Sequence, residues 1–154
     1  MPTAKLASIQ RAFLGRALGL QVIILSASSD RDIQAAFEGL AGQRIGALLV
    51  GADPFFASRR EQLVALAARY GVPATYMTRD FVEAGGLASY GASVVEAYRQ
   101  AGVYVARILK GDKPGELPVI QAAKYEFVLN LKAARALGIN VSMAFSAAAD
   151  EIIE

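Results

Sequence analysis

Short apolar runs alternate with helix-patterned stretches along the first two thirds of this sequence, and no other feature limits its possible folds as tightly. Leu6, Ile9, Phe13 and Ala17 recur at helical spacing over residues 4–18, and Gly19 follows as a stop. Leu20-Gln-Val-Ile-Ile-Leu25 reads as a buried strand, because a β-branched run of this length suits a sheet covered on both faces. Ser29-Asp-Arg-Asp32 fits a helix start with an acidic first turn, and Ile33, Ala36, Phe37 and Leu40 carry that helix on one face. Ala47-Leu-Leu-Val50 is a second strand. Ser58 then opens a helix through Leu63, Leu66, Ala67 and Tyr70. Val72–Tyr76 is a third strand, with Pro73 tolerated at its start, and Thr78 caps a short helix that Gly85-Gly86 breaks. Leu87–Tyr90 is a fourth.

Strands separated by helices of 10–15 residues imply βαβ units. The expected fold is therefore α/β, a Rossmann-like and mainly parallel sheet flanked by helices. After about Gly91 the beat changes. Ser93 to Lys110 reads as one long helix, with Ser93 and Glu96 at capping-box spacing. Tyr98 and Tyr104 on it read as packing residues. Lys124–Asn130 alternates partially, as a half-exposed or edge strand would. Residues 131–137 read as a short helix, and the Ala-rich tail 142–154 as helical. Two parts follow from this change: residues 1–91, and residues 92–154 with a crossover helix, hairpin-like strands and C-terminal helices.

Composition removes most chemistries. The chain has no cysteine and no histidine, so thiolate nucleophiles, disulfides, imidazole metal sites and His-based triads are excluded. No glycine pattern matches a phosphate or dinucleotide loop. Glu61, Asp80, Glu83 and Glu96 show no pairing that suggests a carboxylate dyad or a metal site. No catalytic residue, metal or cofactor is expected. The basic residues are scattered, which argues against nucleic acid. The longest apolar runs are strand-sized, far short of the ~20 residues that span a bilayer.

In open parallel sheets, ligands bind beyond the carboxyl ends of the strands. That rule selects the loops 26–29, 51–56, 76–79 and 90–93. Asp53 there offers a carboxylate, Phe55 and Phe56 flat apolar faces, Tyr76 and Tyr90 a ring with a hydroxyl, and Arg79 a bidentate partner for a carboxylate. Each also has a structural reading. Asp53-Pro54 suits an Asx turn before a helix, one of the two phenylalanines suits a core, and Arg79 suits a solvated first turn.

Several stretches resemble one family. They are Gly46-Ala-Leu-Leu-Val-Gly-Ala-Asp-Pro-Phe-Phe56, Ser58-Arg-Arg-Glu-Gln-Leu-Val-Ala-Leu-Ala-Ala68 and Gly85-Gly-Leu-Ala-Ser-Tyr-Gly91. Residues 101–119, 127–138 and 149–154 continue the likeness in order. Together they are similar to the substrate-binding proteins of ABC transporters of the ABC_sub_bind type. The resemblance implies the second lobe of a type I periplasmic-binding-protein fold plus the crossover segment, and makes residues 1–91 a ligand-binding lobe. It carries over Asp53, Phe55, Tyr76, Ser89 and Tyr90 as cleft-lining positions. It also implies a small organic ligand such as an amino acid, a membrane permease as partner, and a periplasmic location. In the family a signal peptide, a first lobe and an opening strand precede the helix read at 4–18. The expectation is therefore a C-terminal half, cytoplasmic if expressed as written. An open sheet edge where that strand belongs leads to a further expectation, a homo-oligomer or domain-swapped dimer. The competing expectation is an oligomeric structural domain that binds no small molecule.

Overall fold

The computed structural model describes residues 19–40, 42–43, 45–121 and 124–154. The helix expected over residues 4–18 lies outside the described residues. The chain divides into two compact units, Met1–Gly39 and Leu40–Glu154.

The helix α1, Asp30–Leu40, belongs to the first unit up to Gly39. Its start is reciprocal. Ser29 Oγ accepts the Asp32 amide at 3.2 Å, and the Asp32 carboxylate accepts both the amide and the hydroxyl of Ser28 at 3.0 Å. Two otherwise idle amides are thereby satisfied. These hydrogen bonds, the Ser28 amide first, hold the Asp32 carboxyl below its usual range. Ile33 and Phe37 are buried, as their spacing predicts. The strand expected at Leu20–Leu25 is a correction. Residues 20–27 form neither helix nor strand, and Leu20 and Val22–Leu25 are 42–59% exposed. A β-branched run becomes a strand only when a ladder satisfies its backbone, and composition alone does not supply the partner.

The second unit is built on one five-stranded sheet. Its strands are β1 (Leu48–Leu49), β2 (Ala74–Tyr76), β3 (Ala88–Ala92), β4 (Tyr125–Asn130) and β5 (Glu151–Ile153), ordered β1-β2-β3-β4-β5. β1, β2 and β3 run parallel, β4 runs antiparallel to β3, and β5 runs parallel to β4. Between the strands lie α2 (Pro54–Ser58), α3 (Arg60–Arg69), α4 (Asp80–Glu83) and α5 (Val94–Leu109), then α6 (Leu131–Ala136) and α7 (Met143–Ala147). The mixed α/β architecture with a mostly parallel, helix-flanked sheet is as expected.

The register sorts the side chains. Tyr76 pairs with Ser89, and Ser89 with Val128, so these three share a face. All are at most 2% exposed. α3 and α4 supply Leu63, Val64, Leu66, Phe81 and Val82 to the core, and the Asn130 side chain donates to the Val82 carbonyl at 3.5 Å. The other face carries Leu49, Tyr90 and Tyr125, which are 53–61% exposed.

Two further corrections concern the C-terminal part. β4 is not an edge strand, because β5 pairs along its far side and buries Val128, Leu129 and Asn130. The tail is not wholly helical either. α7 ends after five residues, and Asp150 then locks onto β4: its amide donates to the Phe127 carbonyl at 2.8 Å, and its carboxylate accepts the Phe127 amide at 2.8 Å. Ile152 and Ile153 follow as β-branched strand residues.

The long helix α5 forms as predicted, with Ser93 Oγ accepting the Glu96 amide at 3.4 Å. None of its residues is buried. Tyr98 is 76% exposed, and Tyr104 donates its hydroxyl to the Pro118 carbonyl, so the packing role expected of Tyr98 is not realised in this unit.

Candidate functional site

Three loops leave the carboxyl ends of the parallel strands. The loop after β1 runs from Val50 into α2. Asp53 keeps an extended backbone, its Oδ1 accepts the Phe55 amide at 2.7 Å, and Pro54 follows at a position that needs no donor. The Asx-turn reading of Asp53 therefore holds: it caps α2. Phe55 and Phe56 are both half-buried, with ring centroids 5.7 Å apart and tilted by 51°. The Arg59 guanidinium stands 5.6 Å over the Phe55 ring, within cation–π range.

The loop after β2 delivers Arg79 to the start of α4. Its Nε donates to Glu83 at 2.9 Å, and a terminal nitrogen donates to Glu151 at 3.0 Å. The Glu83 hydrogen bond, then the Glu151 charge, push the Arg79 proton affinity up. This guanidinium meets a ligand carboxylate only in competition with two glutamates.

The loop after β3 begins at Ser93, and Gly91 is the penultimate residue of the strand. A Cβ built there would fall 1.9 Å from the Met77 carbonyl oxygen, so this close approach of β3 to the end of β2 requires glycine. Tyr90 lies on the open face, directly across from Phe127. Its ring stacks on Tyr125, with centroids 5.7 Å apart and 17° between planes. Phe127 in turn meets Phe145 of α7 edge-on at 5.2 Å. The result is a ladder of four aromatic rings beside the carboxyl end of β3.

The seven sequence-selected residues thus sort into separate settings. Asp53, Phe55 and Phe56 form one cluster, Arg79 an ion triplet with Glu83 and Glu151, and Tyr90 an aromatic ladder. Tyr76 and Ser89 turn to the covered face. Tyr76 stacks on Phe81 with centroids 4.5 Å apart, and burial pushes its hydroxyl up to about 12. The structure adds Tyr125, Phe145 and Glu151 to the neighbourhood. The alternation Tyr125-x-Phe127 already placed Tyr125 on a face. Glu151 was illegible, because the tail read as a helix. Among the described residues no cluster of acidic side chains could hold a metal ion, and no helix is long and apolar enough to cross a membrane.

Comparison with known proteins gives three results. The family model for "ABC transporter substrate binding protein" matches residues 7–153. Among solved structures, a conserved domain protein from Vibrio cholerae O1 biovar El Tor is 28% identical. It is covered over 96% of this chain and 50% of its own, with a TM-score of 0.81. An ABC domain from Streptococcus pneumoniae, solved in complex with L-Trp, is 25% identical over 97% of this chain and 50% of its own, with a TM-score of 0.85. The ligand-free, open substrate-binding protein CD0873 from Clostridium difficile shares the fold at 19% identity and a TM-score of 0.69. The chain spans about half the length of these structures. Among curated proteins none matches it.

Proposed function

The chain belongs to the ABC transporter substrate-binding protein family, and on that premise we propose that it supplies one wall of a solute-binding cleft for a small organic molecule, an amino acid or a close relative of one. The observation that carries the reading is the family match over residues 7–153 combined with the L-Trp complex of a 25%-identical structure. The role is binding, without a catalytic step. The wall consists of the carboxyl-end loops, with Asp53, Phe55, Phe56 and Arg79 on two of them and Tyr90 on β3 before the third. The exposed Tyr90–Tyr125 stack supports an aromatic contact with the solute. Tyr76 and Ser89 act from beneath, by packing the strands that carry these loops. The partner is the membrane permease of an importer, and the setting is periplasmic or otherwise extracytoplasmic.

The test is thermal unfolding of the chain against a panel of amino acids at millimolar concentration, L-Trp included. A ligand bound with micromolar affinity stabilises by about 4 kcal/mol at a thousandfold excess over Kd. The expected result is a saturable upward shift for at least one member, diminished in Tyr90→Ala. A flat response across the panel overturns the reading.

One observation favours a second reading, that of an oligomeric domain. β1 stands at the end of the sheet and pairs on one side only among the described residues, and α5 exposes Val95, Tyr98 and Leu109 by 72–83%. Free ladders and exposed apolar faces favour association. Sedimentation that shows only monomer at tens of micromolar removes this alternative.

A further inference from the structure

A cavity of about 440 Å³ opens on the helix-covered face of the sheet, at the end opposite the three loops. Val72 and Leu87, just before β2 and β3, line it together with Asn130 and Ile153, at the ends of β4 and β5. Those positions coincide because β4 and β5 run against β3. The space exists because small residues surround it: Ala67 and Ala68 from α3, Gly85 and Gly86 from the turn after α4, and Ala133 and Ala136 from α6. It is half-open to solvent rather than sealed.

The Tyr76 hydroxyl inside it has no partner among the described residues. Tyr76 is 1% exposed and lines the cavity, and its hydroxyl makes no hydrogen bond with any described residue. No described buried polar atom is sealed off without a partner, so this hydroxyl opens into the cavity rather than into packed protein. Asn130, by contrast, is engaged at both ends of its amide, donating one N–H to Val82 at 3.5 Å and accepting the Ala133 amide at 2.9 Å. Burial keeps the Tyr76 hydroxyl protonated well beyond neutral pH, and so able to donate. The charged lining residues are Glu83, Lys132 and Glu154, and Glu83 is held by Arg79 at 2.9 Å.

We propose that this cavity is a second ligand site, distinct from the carboxyl-end loops, for a small uncharged apolar molecule that presents one hydrogen-bond acceptor to Tyr76. The alanines and glycines admit the apolar body, and the buried hydroxyl orients it. The largely aliphatic lining gives an ammonium or a carboxylate no buried partner, which separates this site from an amino-acid cleft.

The test uses acetophenone, which has a ring and one carbonyl, and ethylbenzene, which has the ring alone. Alanine methyl resonances report the site by NMR. Acetophenone should shift the methyls of Ala67, Ala68, Ala133 and Ala136, and should bind about three- to tenfold more tightly than ethylbenzene, the ratio of one neutral hydrogen bond. Tyr76→Phe should remove that difference while leaving ethylbenzene binding intact. Ala136→Leu fills the mouth from a solvent-exposed position and should abolish both sets of shifts without unfolding the chain. The proposal is overturned if the pocket methyls do not respond to acetophenone, if the two probes bind the native chain equally, or if Ala136→Leu leaves the shifts unchanged. A flat amino-acid panel in the cleft assay has no bearing on these outcomes.

Discussion

Two glycine-to-alanine substitutions should act with opposite sign, and the structure supplies the reason for each. At Gly91 an added methyl would sit 1.9 Å from the Met77 carbonyl oxygen and 2.9 Å from its carbon. A comfortable carbon–oxygen contact is about 3.3 Å, so the overlap is well over an ångström. The obstacle is backbone, which cannot swing away as a long side chain can. Relief requires β3 to separate from the end of β2, where Tyr76 pairs with Ser89, while β4 holds β3 through five register pairs from Ala88 to Ala92. Overpacking typically costs about 1–3 kcal/mol; a backbone obstacle in mid-sheet places Gly91→Ala at about 3 kcal/mol or above. For a chain of this length that is a fall of roughly 6–12 °C in Tm. At Gly102, within α5, a Cβ meets nothing within 4 Å. Gly102→Ala should therefore gain about 0.5–1 kcal/mol, or roughly 1–4 °C, from helix propensity and a less flexible unfolded chain. Thermal unfolding followed by circular dichroism measures both. Equal Tm values for Gly91→Ala and the native chain would refute the close approach of β3 to β2.

Three other expectations can be checked alongside. Asp53→Ala should cost about 1 kcal/mol through loss of the α2 cap, whereas Asp53→Asn should cost much less; denaturant midpoints that are identical for the two variants would contradict the capping role. Glu96 has its carboxyl pulled down to about 2, chiefly by its hydrogen bond with Arg99 at 2.6–2.8 Å. A depressed carboxyl stabilises the fold above its ordinary value of 4.5 and loses that contribution as pH falls toward 2. Stability measured between pH 5 and 2 should therefore fall less steeply in Glu96→Gln, and parallel curves would count against the pair. Leu129→Ala, at a position 2% exposed in mid-sheet, should destabilise by about 2–5 kcal/mol; a loss below 1 kcal/mol in urea titration would show that β4 is not packed as described.

The sequence by itself determined the elements whose signals are local. Ser29 with Asp32, Ser93 with Glu96, and Asp53 before Pro54 each start a helix by hydrogen bonds that span two or three residues, so their spacing is enough to find them. The βαβ beat from Ala47 to Tyr90 is local in the same sense. It determines a mainly parallel sheet, and with it the end of that sheet where the loops gather. Pairing is different, because a strand is defined by a neighbour that the run itself does not contain. Leu20–Leu25 has strand composition and forms no strand. Glu151–Ile153 follows an Ala-rich stretch and forms one, because Asp150 grips Phe127 from 23 residues away. The same distance effect governs the candidate site. Ser89 and Tyr90 are adjacent in sequence, yet alternation sends one into the core and the other into the aromatic ladder. Arg79 reads as a free cation until Glu151 is brought to it across 72 residues. Side-chain identity supplied the chemistry on offer. The sheet register and the β4–β5 pairing decided which groups meet, which are already satisfied, and which, like the Tyr76 hydroxyl, are left with something to donate.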